Sequence, residues 1–115
     1  MLLACAVGRL DKITLDWRSD AALTVVMATR GYPGSYEKGS RIKGLTKAQS
    51  LKEVEVFHAG TAEENGKIVA NGGRVLNVTA LGETVADAQK RAYKAVSHIN
   101  WPEGFCRTDI GWRAV

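Results

Sequence analysis

The chain is poor in the features that mark a metal centre, a membrane span or a polyanion partner. It has only two cysteines in 115 residues. Cys5 and Cys106 stand near opposite ends, without the paired spacing that ligates zinc or forms a redox dithiol. Neither has a neighbour that would activate it as a nucleophile, so reduced, buried thiols are expected. The two histidines, His58 and His98, lack partners at the spacing of a catalytic triad or metal site and read as structural. The apolar run from Met1 to Val7 is far too short to cross a bilayer, lacks a basic leader and meets Arg9 and Asp11 directly. No membrane partner is expected, and a cytoplasmic location is the default. Internal repeats and low-complexity segments are also lacking.

What is present describes an ordinary folded domain. Apolar residues make up 45% and charged residues 24%, far from the signature of disorder. A chain of this length removes roughly two-thirds of its unfolded surface from water, enough for one core. Sixteen Lys and Arg against twelve Asp and Glu leave a net charge of +4, but the charges are interleaved. Only Lys90, Arg91 and Lys94 cluster, on a predicted helix that also carries Asp87. Without a module signature or an aromatic-basic platform, no nucleic-acid partner is expected. A site for one small phosphate stays open.

Met1 to Val7 with Leu10 reads as the last turns of an amphipathic helix stopped by Gly8. No Ser, Thr, Asp or Asn cap precedes it, so either translation starts abruptly or a longer chain has been truncated. Ala21 to Ala28, rich in β-branched residues, predicts a central strand buried on both faces. Gly31, Pro33, Gly34 and Gly39 then make Thr29 to Lys43 an ordered loop. Val54, Val56 and His58 alternate with Glu53, Glu55 and Phe57, the period of a two-faced strand. Glu64-Asn65-Gly66 is a turn, Lys67 to Ala70 a second strand, Asn71-Gly72-Gly73 a further hairpin turn and Arg74 to Leu81 a third strand. Together they predict a contiguous β-meander. Thr84 and Asp87 form a capping box with Asp in place of Glu. The stripe Val85, Ala88, Ala92, Val96 and Ile99 follows on a helix that ends before Pro102 and Gly104. The tail, with Ile110 and Trp112, is expected to pack back on the sheet.

Two motifs carry candidate chemistry. Gly31-Tyr32-Pro33-Gly34-Ser35-Tyr36-Glu37-Lys38-Gly39 lets backbone approach a ligand while aromatic rings wall it off; a tight surface loop pinned by its tyrosines fits equally well. Asn71-Gly72-Gly73-Arg74 offers backbone N–H groups and a guanidinium fork to a phosphate. A hairpin turn followed by a solvent-facing strand residue fits the same residues, and the spacing is not that of a P-loop.

Read in order, the motifs resemble one family. They are Met27-Ala28-Thr29-Arg30-Gly31-Tyr32-Pro33-Gly34-Ser35-Tyr36-Glu37-Lys38-Gly39, Val56-Phe57-His58-Ala59-Gly60-Thr61, and Gly72-Gly73-Arg74-Val75-Leu76-Asn77-Val78-Thr79-Ala80-Leu81-Gly82. Ala88-Gln89-Lys90-Arg91-Ala92-Tyr93 and Asp109-Ile110-Gly111-Trp112-Arg113 complete the series. The pattern is similar to the carboxy-terminal domain of glycinamide ribonucleotide synthetase (phosphoribosylamine-glycine ligase), of the ATP-grasp superfamily.

That resemblance implies an α+β fold, mainly antiparallel β, like a barrel-sandwich hybrid (the rudiment single hybrid motif) with flanking helices. It implies that residues 1–20 are the end of a helix and a connector from a missing ATP-grasp domain, and that 21–115 are the ligase carboxy-terminal domain. The implied reaction joins glycine to 5-phosphoribosylamine in purine biosynthesis, using ATP through a glycyl phosphate. ATP and magnesium would be held mainly by the missing domains, with no catalytic or metal-ligating residue on this chain, which alone would be inactive. Arg74, with Gly73, is the implied substrate-phosphate contact, and Gly31, Tyr32 and Pro33 are a wall of the site. His58, Lys38 and Asp109 are further candidates that packing explains as well. A free-standing module that binds a phosphosugar or nucleotide is the alternative, and an inert or partner-dependent fragment is a third reading.

Overall fold

A computed structural model describes residues 1–115. The chain runs through α1 (Leu2–Ala6), a 3-10 turn (Leu10–Lys12), β1 (Ala21–Thr29), α2 (Leu45–Gln49), β2 (Val54–His58) and β3 (Thr61–Glu64). β4 (Lys67–Ala70), β5 (Arg74–Gly82), α3 (Val85–His98) and β6 (Gly104–Cys106) follow. The fold is α+β and mainly antiparallel: a four-stranded sheet in the order β2-β5-β1-β6, and a separate two-stranded sheet of β3 and β4.

β1 is one of the two inner strands, but it is not buried on both faces. Leu23, Val25 and Met27 are buried, whereas Ala22, Thr24 and Val26 face solvent. The reason lies in the layering: α3 covers only one face of an antiparallel sheet, so the strand alternates. On the open face Thr24 and Thr79 join their hydroxyls across the strands at 2.7 Å, the type of pair that stabilises a sheet locally.

The contiguous meander is also corrected. β2 pairs directly with β5, from Val54 opposite Ala80 to His58 opposite Leu76. β4 pairs instead with β3, a strand the sequence pattern did not reveal, from Thr61 opposite Ala70 to Glu64 opposite Lys67. Asn65 and Gly66 form the two-residue turn between them, both at positive φ (51° and 70°), the backbone that Asn-Gly hairpins adopt. Asn71-Gly72-Gly73 is therefore not a hairpin turn; it carries the chain out of one sheet and into the other.

Thr84 caps α3 as expected. Its hydroxyl accepts from Asp87 N at 3.2 Å and donates to Asp87 Oδ2 at 2.8 Å. The helix buries Ala88, Ala92 and Ala95, while Val85 and Val96 of the expected stripe are only partly buried. Small residues win at the contact because the backbones approach closely: a Cβ on Gly82 would stand 2.8 Å from Asp87 Cβ. The main core gathers Met27, Val56, Val75, Leu76, Val78, Ala95, Ile99 and Trp101, and Ala70 brings the β3–β4 hairpin onto it.

The ends differ from each other. α1 stops before Gly8, which adopts φ +66°, but it buries only Ala4, leaving Leu2 80% exposed. The tail does pack back in part. Tyr93 accepts from Ile110 N at 3.0 Å and donates to Arg107 O at 2.7 Å, and Gln89 donates to Ile110 O at 2.8 Å. Trp112 departs from the expectation: it stays exposed, with the Arg113 guanidinium 5.0 Å above its ring.

Candidate functional site

The two glycine motifs, far apart in the sequence, meet at the end of β1. Gly31 follows that strand at φ +95°, and a Cβ there would collide with Ser35 O, so the tight turn admits only glycine. Tyr32 N donates to Thr29 O at 3.1 Å and closes the turn. Thr29 N donates to Gly73 O at 2.8 Å, and the Thr29 hydroxyl donates to Gly72 O at 2.7 Å. The Tyr32 ring lies over Gly73 so closely that a Cβ on Gly73 would stand 2.7 Å from Cε2. Of the five substrate-binding candidates, Gly31, Tyr32 and Gly73 are thus held in one unit. Pro33 extends the turn into solvent, after a cis Tyr32–Pro33 peptide bond. Arg74 opens β5 opposite Ala28.

The Arg74 side chain is exposed, and its guanidinium has no hydrogen bond or ion pair within the chain. A free planar fork of donors beside a buried glycine is suited to an oxyanion. Arg74 does not line the neighbouring cleft. That cleft, of about 670 Å³, is lined by Thr29, Arg30, Glu37, Lys38, Ser40 and Glu103, together with Gly39 and Pro102. Its walls are fixed by Arg30 N donating to Glu103 O at 2.9 Å and Trp101 Nε1 donating to Ser40 Oγ at 2.8 Å. None of its four charged side chains forms an ion pair.

Sequence reasoning singled out Lys38 but missed Arg30, Ser40 and Glu103. Glu103 reaches the cleft only because β6 pairs with β1, placing Gly104 opposite Thr29, and a three-residue strand gives no periodic signal.

The other candidates lie apart from this cleft. His58 Nδ1 is 2.9 Å from the Thr61 hydroxyl at the exposed end of β2. Asp109 is bound by both arms of Arg107, at 2.9 and 2.7 Å. Those hydrogen bonds hold the Asp109 carboxyl below its usual range and push Arg107 up. The expected burial of both thiols is corrected: Cys5 is exposed and Cys106 only half-buried, and that partial burial raises the Cys106 thiol. Nowhere do three His, Cys, Asp or Glu side chains gather as a metal would require. No helix is long and apolar enough to cross a membrane.

Residues 22–113 match the family described as phosphoribosylglycinamide synthetase, C domain. A phosphoribosylamine-glycine ligase of Mesorhizobium japonicum is 60% identical over 115 residues, covering all of this chain and 27% of the relative. The chloroplastic phosphoribosylamine-glycine ligase of Arabidopsis thaliana is 56% identical over 117 residues, covering the whole chain and 22% of the relative. The crystal structure of a phosphoribosylamine-glycine ligase from Thermotoga maritima superimposes with a TM-score of 0.67 at 40% identity, covering 77% of this chain and 21% of that one. The chain therefore spans about a quarter of the length of the relatives it matches.

Proposed function

The chain belongs to the phosphoribosylglycinamide synthetase C-domain family, and from that premise we propose that it works as the carboxy-terminal domain of a phosphoribosylamine-glycine ligase. The observation that carries this reading is an overall identity of 60% to such a ligase across the whole length of the chain. The complete enzyme would join glycine to 5-phosphoribosylamine in purine biosynthesis, with ATP activating glycine as an acyl phosphate. Residues 1–20 would belong to the connection with the ATP-grasp domain and 21–115 to the carboxy-terminal domain. The family match beginning at residue 22 supports that boundary.

This chain's own part is binding and enclosure. Arg74, projecting beside Gly73 with all its donors free, takes the substrate phosphate by charge-assisted hydrogen bonds. The turn of Gly31, Tyr32 and Pro33 walls that site, and a walled site keeps water from an acyl phosphate. ATP and magnesium are assigned to the remaining domains, where the metal would neutralise charge on the transferred phosphoryl group. The amino-terminal and ATP-grasp domains are the implied partners, and the cytoplasm the implied location.

The test is a graft. This chain replaces the last 115 residues of the Mesorhizobium japonicum ligase, and glycine-dependent ADP release is measured with 5-phosphoribosylamine supplied. The graft is expected to turn over, while the isolated chain releases no ADP. A folded but inert graft, or turnover by the isolated chain, would overturn the proposal. The unpaired Arg74 also suits a free-standing phosphosugar-binding module. Tight binding of ribose 5-phosphate by the isolated chain, together with an inert graft, would select that reading.

A further inference from the structure

We propose that Thr29 is the positioning residue that aims Arg74 at its phosphate, an inference that rests on the phosphate-binding role proposed above for Arg74. Thr29 is the one buried polar side chain in the core, 3% exposed. A buried hydroxyl needs a partner, and this one is committed to a turn rather than to its own strand.

Its proton goes to Gly72 O at 2.7 Å, and its backbone N–H goes to the next carbonyl, Gly73 O, at 2.8 Å. Two successive carbonyls immediately before Arg74 are thus gripped by one residue. The grip falls beside an irregularity: the β1–β5 register shifts between Met27 and Ala28, and Ala28 opposite Arg74 is the last pair of that ladder. Gly72 and Gly73 supply no side chains to hold themselves. The Tyr32 ring presses on Gly73 from outside, and Tyr32 is in turn tied to Thr29 O at 3.1 Å. Thr29 therefore holds the turn and also anchors the ring that closes it. With the turn held, Arg74 leaves the backbone in one direction, and less of its binding energy is lost to ordering on contact.

The test uses the 115-residue chain and an amide-shift titration with ribose 5-phosphate, with ribose as the control sugar. Thr29→Val preserves the buried shape and removes the donor; Thr29→Ser preserves the donor. Thr29→Val is expected to weaken binding about tenfold, the order that loss of one buried hydrogen bond produces, with shifts at the Gly73 and Arg74 amides in the free chain. Thr29→Ser is expected to stay within about twofold of the parent, whereas a mere volume requirement would give the opposite order, with valine tolerated and serine not. If Thr29→Val does not fold, Gly73→Ala disturbs the same turn from the solvent side and is expected to weaken binding likewise.

Parent-like affinity in folded Thr29→Val, or in folded Gly73→Ala if the valine variant does not fold, overturns the inference, provided Arg74→Ala abolishes binding. If Arg74→Ala binds as the parent does, or the parent shows no phosphate-dependent shifts, the phosphate reading of Arg74 fails and this inference fails with it.

Discussion

Replacing Gly73 with alanine directs a methyl group into the Tyr32 ring, whose Cε2 would stand only 2.7 Å away. Real carbon contacts of this kind do not occur, so the ring or the turn must shift. Overpacking typically costs about 1–3 kcal/mol, and a half-buried ring that can partly swing aside suggests about 2. Loss of glycine freedom in the unfolded chain returns about 0.5 kcal/mol, because Gly73 is not in the left-handed region. The net cost is about 1.5 kcal/mol, which lowers the melting temperature by about 6 °C for a domain of this size. The assay is a double-mutant cycle of Gly73→Ala with Tyr32→Ala, read by urea and thermal melts. Removing the ring makes room for the methyl and abolishes the clash, so the double variant is expected to lose about 2 kcal/mol less than the sum of the single losses. Additivity within about 0.5 kcal/mol would refute the claim that the two motifs form one packed unit.

Three further outcomes are expected. Thr84→Ala, which removes the cap that accepts from Asp87 N, should cost about 1 kcal/mol and speed amide exchange in the first turn of α3. Cys5 is exposed and Cys106 half-buried with a raised pKa; a disulfide-exchange reagent near neutral pH should therefore label Cys5 first, and equal rates would contradict the burial of Cys106. Arg107→Ala should let the Asp109 carboxyl rise toward the ordinary aspartate range, because the hydrogen bonds from Arg107 are the main cause that lowers it. A carbon-detected NMR titration reads this directly, and an unmoved Asp109 would exclude that pair as the cause.

Much of the molecule can be read from its residues. The Thr84–Asp87 cap, the Asn65–Gly66 turn and the length of β5 follow from local chemistry, because each is decided by neighbours in sequence. What escapes is decided by distant partners. β3 reads Thr-Ala-Glu-Glu, with no apolar alternation, and becomes a strand only because Lys67–Ala70 folds onto it. β6 is three residues long and exists as an addition to β1. β1 itself, apolar at nearly every position, does not reveal that one of its faces is left uncovered by α3. The same limit applies to the site. Glycine and arginine motifs mark Gly31, Tyr32, Gly73 and Arg74 as candidates, but nothing local marks the Thr29 hydroxyl, whose hydrogen-bond partner lies 43 residues away. Nor do Arg30 and Glu103, which face one cleft only after β6 has paired.

The most direct measurement of the central claim is steady-state kinetics of the ligase graft with Arg74→Ala. If Arg74 holds the substrate phosphate, the KM for 5-phosphoribosylamine should rise by about tenfold or more, the order expected for a lost charge-assisted hydrogen bond, while the KM values for ATP and glycine stay unchanged. Equal values for all three substrates in the variant and the parent graft would contradict the account.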